Sequence, residues 1–150
     1  MTINDQRCKG AVTYKMDPKA RVSIPVAWRP GYAEPLFLLE SNTHEMPMIK
    51  VLTNEAYLHR VNLIKDSDHI PAEKTRMLGK LAMNSKEVQL NEQGKLLIPK
   101  ELCERVGLAA EAELVLAGRG LHFEVWNKEN HARFVEIENA LDANDTLGVF

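Results

Sequence analysis

The residues with chemistry to offer are cations set around tight turns. Between positions 7 and 29 stand Arg7, Lys9, Lys15, Lys19, Arg21 and Arg29, faced there by one carboxylate, Asp17. Beyond position 111 the balance reverses, and Glu124, Glu129, Glu136, Glu138, Asp142 and Asp145 dominate. A net charge of −2 over 150 residues excludes a uniformly basic protein. A basic face at one end and an acidic region at the other still suits local contact with phosphates. Each phosphate neutralised by Lys or Arg releases condensed counterions, so such an edge binds nucleic acid with a steep salt dependence. A guanidinium adds a planar fork that can grip two guanine acceptors or one phosphate at once. Arg21, Lys19 and Lys15 are therefore the expected edge of a DNA-binding surface, with Arg7 and Lys9 behind it and Lys95 as a second, weaker cation.

Catalysis would need a nucleophile with its base, paired carboxylates, a metal cluster or a phosphate-cradling Gly loop, and none of those spacings occurs. His44, His59, His69, His122 and His131 are scattered, without two-His spacing on one helix face. Cys8 and Cys103 stand far apart and read as incidental or buried thiols. Trp28 and Trp126 read as core or subunit contacts. The chain is expected to be no enzyme and to use no cofactor, metal or small-molecule substrate. At 45% hydrophobic and 27% charged residues the composition is that of an ordinary globular protein. No apolar run approaches the ~20 residues of a membrane span, and the first residues lack the apolar core of a secretory signal. A cytoplasmic location is the expectation.

The cations are positioned by a segment that occurs twice. Met16-Asp-Pro-Lys-Ala-Arg-Val-Ser-Ile-Pro25 returns as Leu90-Asn-Glu-Gln-Gly-Lys-Leu-Leu-Ile-Pro99. Each copy has a turn-forming Asp17 or Asn91, a cation at Arg21 or Lys95, an apolar run and an Ile-Pro ending. Asp or Asn opening a type I turn accepts a bond from its own backbone two residues on; Pro18 fits the second position and Gly94 the fourth. Val22 and Ile24 point inward by strand alternation, and Arg21 and Ser23 outward. The following segments also align: 35–39 with 112–116, and 48–52 with 121–126. Both units read turn, strands, helix, and copies this short must share one core.

Residues 1–6 are polar and carry no site. A half-buried strand is expected over 8–16, a helical turn over 26–29, strands over 36–39 and 48–52, and a polar loop over 41–45. Thr53 or Asn54 caps a helix to about Lys65 with Ala56, Leu58, Val61, Leu63 and Ile64 as its apolar side. Pro71 opens a second helix with a thinner stripe of Thr75, Leu78, Leu81 and Ala82. A short helix runs from Pro99 to a Gly107 cap. Asn127 caps a last helix in which Phe134, Val135, Ile137 and Leu141 can pack, and 145–150 should fray.

With its Asp17 and Arg21 four residues apart, followed by Ile24-Pro25, the chain resembles the MraZ family, built of two AbrB-type swapped-hairpin halves. Residues 7–10 and Phe123-Glu-Val-Trp126 also resemble family segments, and the similarity covers nearly the whole chain. The resemblance implies an α+β, mainly β fold: two duplicated halves forming one pseudo-twofold β-barrel with helices outside. It divides the chain into a first half at 10–55, a helical linker at 56–83, a second half at 84–127 and a final helix at 128–144. It also implies a nucleoid-associated transcriptional regulator that assembles into homo-oligomeric rings and binds short repeats in double-stranded DNA upstream of the division and cell-wall gene cluster.

Three positions depart from the family pattern: Ala20 stands for the usual Gly, Asn91 for the second Asp and Lys95 for the second Arg. Ala20 is strained if that position needs a positive φ, and Lys95 keeps charge but loses the fork. The rival reading is an AbrB-type, antitoxin-like protein-interaction module without DNA reading of its own, against which the two complete halves weigh.

Overall fold

Apolar residues line both faces of an antiparallel sheet. The computed structural model describes residues 7–31 and 33–150, so the polar stretch 1–6 lies outside the described residues. The strands are β1 (Ala11–Lys15), β2 (Arg21–Ser23), β3 (Leu36–Thr43), β4 (Met46–Thr53), β5 (Ser85–Val88), β6 (Lys95–Leu97), β7 (Glu113–Gly118) and β8 (His122–Asn127). The helices are α1 (Asn54–Lys65), α2 (Pro71–Met83), α3 (Lys100–Val106) and α4 (Lys128–Leu141), with one 3-10 turn at Val26–Trp28. The chain is thus α+β, its sheet antiparallel throughout.

The expected closed barrel does not form. Six strands make an open sheet in the order β1-β7-β8-β4-β3-β5, and β2 and β6 make a separate two-stranded ribbon. A barrel needs strands long enough to tilt and close on themselves. With three residues each, β2 and β6 cannot bridge the free edges at β1 and β5. They lie across the sheet instead, where Val22, Ile24, Leu96 and Ile98 pack with Leu36, Leu38, Ile49, Val51, Phe123 and Val125. Trp28 and, from α3, Leu102, Cys103 and Val106 complete this core, which draws on residues from both copies of the repeat. Trp28 meets Phe123 with ring centroids 5.4 Å apart.

Helices cover the opposite face. Phe134 of α4 sits on Met46, Met48, Val115, Ala117 and Trp126, while Ala56 and Tyr57 of α1 and Leu81 of α2 sit on Leu39, Leu52 and Phe37. Helix starts follow the expected caps: Thr53 Oγ1 accepts from Ala56 N–H at 3.1 Å and Asn127 Oδ1 from Asn130 N–H at 3.0 Å. Gly107, at φ 74°, closes α3. The apolar stripes are narrower than expected. Ala56 is the buried residue of α1, whereas Leu58 and Leu63 are 48% and 59% exposed. Val135 and Leu141 are exposed too, because α4 rests on the sheet through Phe134 and Ile137. No helix of the described residues is long and apolar enough to cross a membrane.

Two strand boundaries also move. The strand expected over 8–16 starts at Ala11: Gly10, at φ 88°, breaks it, and Cys8 meets Gly120 in an isolated bridge. The loop expected over 41–45 contracts to His44-Glu45, because β3 and β4 stay paired as far as Thr43 opposite Met46. Both turn residues have positive φ, 50° and 65°, as in a type I′ hairpin whose twist matches the strands. Cys8 and Cys103 are buried free thiols, and burial pushes Cys8 up to about 11.

Candidate nucleic-acid interface

The two turns are built from the same bonds. Asp17 Oδ1 accepts from the Lys19 and Arg21 N–H groups at 2.9 and 2.8 Å; Asn91 Oδ1 accepts from Gln93 and Lys95 at 3.0 and 2.9 Å. Asp17 N–H donates to Arg21 C=O and Asn91 N–H to Lys95 C=O, each at 3.0 Å. The side chain that opens each turn therefore fixes the residue that carries the charge.

The ribbon sets the turns beside each other. Val22 pairs with Leu96, Arg21 with Leu97 and Ser23 with Lys95. Ile24 N–H donates to Gly94 C=O at 3.1 Å and Ile98 N–H to Ala20 C=O at 3.0 Å, so each strand is tied to the other copy's turn. With Val22 and Leu96 buried inward, Arg21, Ser23, Lys95 and Leu97 share the outward face, Arg21 diagonal to Lys95.

The cations differ in how firmly they are held. Arg21 Nε donates to Asp17 Oδ2 at 2.8 Å, leaving the rest of a half-exposed guanidinium for a ligand. Among the described residues no carboxylate lies within ion-pair distance of Lys95, and Asn91 offers an amide where Asp17 has a charged oxygen. The Arg21 N–H, with its guanidinium and the Lys19 N–H, holds the Asp17 carboxyl below its usual range, outweighing an opposing desolvation effect. A carboxyl lowered by folding stabilises the fold above its ordinary range, near pH 3.9, and loses that contribution as pH falls through the lowered value. Urea midpoints of wild type and Asp17→Asn should therefore differ most above about pH 5 and converge in acid.

Other expected site residues are spread along β1. Lys15 is exposed two residues before the first turn and lies in register with Glu113, which is ion-paired with Lys128 at 2.7 Å. Lys9 is exposed at the other end of β1, beyond Gly10. Arg7 Nη1 donates to Arg29 C=O at 3.1 Å. Lys19 is exposed at the tip of the first turn. Arg29 was not among the expected site residues. Its Nε donates to Ile24 C=O at 2.9 Å and its guanidinium covers Gly94, adding a cation from the first copy to the second turn. The sequence carries no sign of this beyond Arg29's place in the basic stretch, because the contact spans 65 residues of chain.

Ala20 and Gly94 hold matching positions at φ 60° and 76°. A Cβ at Gly94 would collide with the Arg29 guanidinium. Gly94→Ala is expected to lose about 1–2 kcal/mol, from backbone strain and displacement of Arg29. Ala20→Gly should gain at most about 1 kcal/mol, since relieved strain is partly offset by unfolded-state entropy. Denaturant midpoints of the two variants check the pair.

Residues 81–147 match the model of a family described as "MraZ protein, putative antitoxin-like". A transcriptional regulator MraZ from Roseiflexus castenholzii is 27% identical over 139 residues, covering 92% of this chain and 91% of that one. Its namesake from Anaeromyxobacter sp. strain Fw109-5 is 28% identical over 116 residues, 75% of this chain and 79% of its own. Another, from Methylobacillus flagellatus, is 27% identical over 125 residues and 81% of each chain. The chain is similar in its second half to the family model and along most of its length to these regulators.

Proposed function

We propose that this protein is a transcriptional regulator that holds double-stranded DNA with the outward face of its β2–β6 ribbon. The observation that carries this reading is the placement of two turn-borne cations, Arg21 and Lys95, diagonal to each other on the outward face of the ribbon, with Lys19 at the tip of the first turn. Arg29, laid over Gly94, adds a fourth cation, at the second turn. The name shared by the relatives supports a regulatory role. On this reading the protein is cytoplasmic and nucleoid-associated and is not an enzyme. Its targets are short tandem repeats upstream of the division and cell-wall gene cluster.

Two further parts of the proposal concern architecture. The strand order reads the same from either end if β1, β3 and β4 are matched with β5, β7 and β8, which supports duplicated swapped-hairpin halves at 10–55 and 84–127 joined by the linker 56–83 and followed by the helix 128–144. Exposed Leu58, Leu63, Ile70 and Met83 form apolar surface on α1 and α2, suited to association of copies into a homo-oligomeric ring. A ring sets several weak basic edges along one duplex, so that modest contacts multiply.

The antitoxin-like description of the matching family model favours a second reading, a protein-interaction module. Fluorescence anisotropy with a duplex carrying tandem short repeats, titrated from low to physiological salt, separates the two. Tight, salt-sensitive binding is expected; no salt-sensitive binding would favour the interaction module.

A further inference from the structure

On the helix-covered side of the sheet, across the core from the turns, positive charge collects without enough negative charge to match it. Lys50 of β4 lies in register with Glu124 of β8. Glu124 is 4% exposed and already engaged: Trp126 Nε1 donates to it at 3.0 Å, His122 Nε2 stands at 3.4 Å and Arg119 Nε at 4.0 Å. Burial alone would raise this carboxyl, but His122, Trp126 and Arg119 together hold it below its ordinary value. Lys50 and Arg60 of α1 are half-buried nearby, and among the described residues neither has a carboxylate within ion-pair distance. Burial lowers the pKa of the Lys50 ammonium and the Arg60 charge lowers it further, with Glu124 offsetting only in part.

Lys50 also lines a groove of about 600 Å³ between β3, β4 and α2, with Ser41, Asn42, Arg76 and Lys80 around it. The groove's acidic wall residue, Glu40, is turned to Arg105 at 3.0 Å, and Arg76 is paired with Glu73. Lys80 has no carboxylate within ion-pair distance among the described residues. Half-buried cations left without partners are costly. A compact dianion would relieve that cost for the half-buried Lys50, with the exposed Lys80 at the groove's edge and a hydroxyl donor from Ser41 on the same face as Leu39.

We propose that this groove is a binding site for a small phosphate-type oxyanion, free or as the terminal phosphoryl group of a metabolite, with Lys50 at its floor and Lys80 at its rim. The site lies away from the β2–β6 ribbon and stands whether or not the ribbon holds DNA. An anion there would give Lys50 the counter-charge that Glu124, already engaged by Trp126, His122 and Arg119, supplies only in part.

The test is isothermal titration of the full-length protein with inorganic phosphate and, separately, with glucose 6-phosphate, against chloride at matched ionic strength. Saturable heat with phosphate or its ester, absent with chloride, is expected, and the tighter of the two identifies the free ion or a phosphorylated metabolite as the source. Affinity should fall about tenfold in Lys50→Met, as loss of a charge-assisted bond implies, and stay unchanged in Lys100→Met on α3. If Lys50→Met does not fold by circular dichroism, Lys80→Met decides, with a several-fold loss expected. No saturable binding beyond chloride, or unchanged affinity in the deciding variant, overturns the site. So does dispersal of a larger assembly by phosphate in light scattering, which would make an acidic face of another copy the occupant.

Discussion

Arg21→Ala should lower affinity for repeat-bearing DNA by at least tenfold, and Lys95→Ala by distinctly less. A guanidinium lost from a base-reading or two-point phosphate contact costs about 1–3 kcal/mol per engaged subunit. Where several subunits grip one duplex, that loss multiplies. Asp17 holds Nε of Arg21 at 2.8 Å, which fixes the plane of the fork and reduces the side-chain entropy lost on binding. Lys95 acts as a point charge, is not fixed by an acid, and has Glu87, Glu92 and Glu101 exposed in its part of the sequence. Its removal should weaken binding modestly and evenly across sequences, with the salt slope shallower by about 1. Arg29 over Gly94 supplies part of what the second turn lacks, which narrows the contrast between the turns without reversing it. Anisotropy titrations at several salt concentrations, with assembly checked by light scattering, measure both variants. Equal losses, or a larger loss from Lys95→Ala, would show that the first turn is not the principal reading head.

Leu96→Ala should damage both stability and binding. Leu96 is fully buried, pairs with Val22 at the centre of the ribbon and joins it to the sheet core. Leu→Ala at such a site costs about 2–5 kcal/mol, from lost transfer energy and the cavity left behind. For a chain of this size that lowers the melting midpoint by roughly 5–15 °C. Leu97→Ala, one residue on and 56% exposed, should shift stability by no more than about 0.5 kcal/mol. Because both turns hang from this ribbon, Leu96→Ala should also weaken DNA binding although it removes no charge. Thermal unfolding and anisotropy on the same two variants check both parts. Similar midpoints for Leu96→Ala and Leu97→Ala would remove the ribbon from its place in the core.

What could be read in the sequence is what is local. The turns at Asp17 and Asn91, their cations, and the caps at Thr53, Asn127 and Gly107 each depend on residues within four or five positions, and those residue types have one good local use. Inward placement of Val22, Ile24, Leu96 and Ile98 followed from alternation, even with Leu97 interrupting it. The open sheet did not follow, because pairing of β1 with β7 across about 100 residues leaves no mark in either strand. His44 and Glu45 hide their hairpin turn, since neither is the Asn or Gly that usually signals two positive φ values. Helical periodicity overstated burial at Leu58, Leu63, Val135 and Leu141: it reports which residues share a side, not whether this chain covers that side. Arg29 was missed for the same reason as the sheet order, since its partner Gly94 is distant in sequence.

The pairing of β1 with β7 has a consequence for synthesis. On the ribosome β1 emerges about 100 residues ahead of its hydrogen-bonding partner β7, and β2 waits for β6 in the same way. Until β7 emerges, Met16, Val22 and Ile24 have no completed core to enter. The hairpin of β3 and β4 can form early, from neighbours in the chain, whereas closure of the sheet is a late, non-local step of the kind that slows folding. Nascent chains that stop before residue 113 therefore expose an apolar half-sheet, and they are the species most in need of a chaperone.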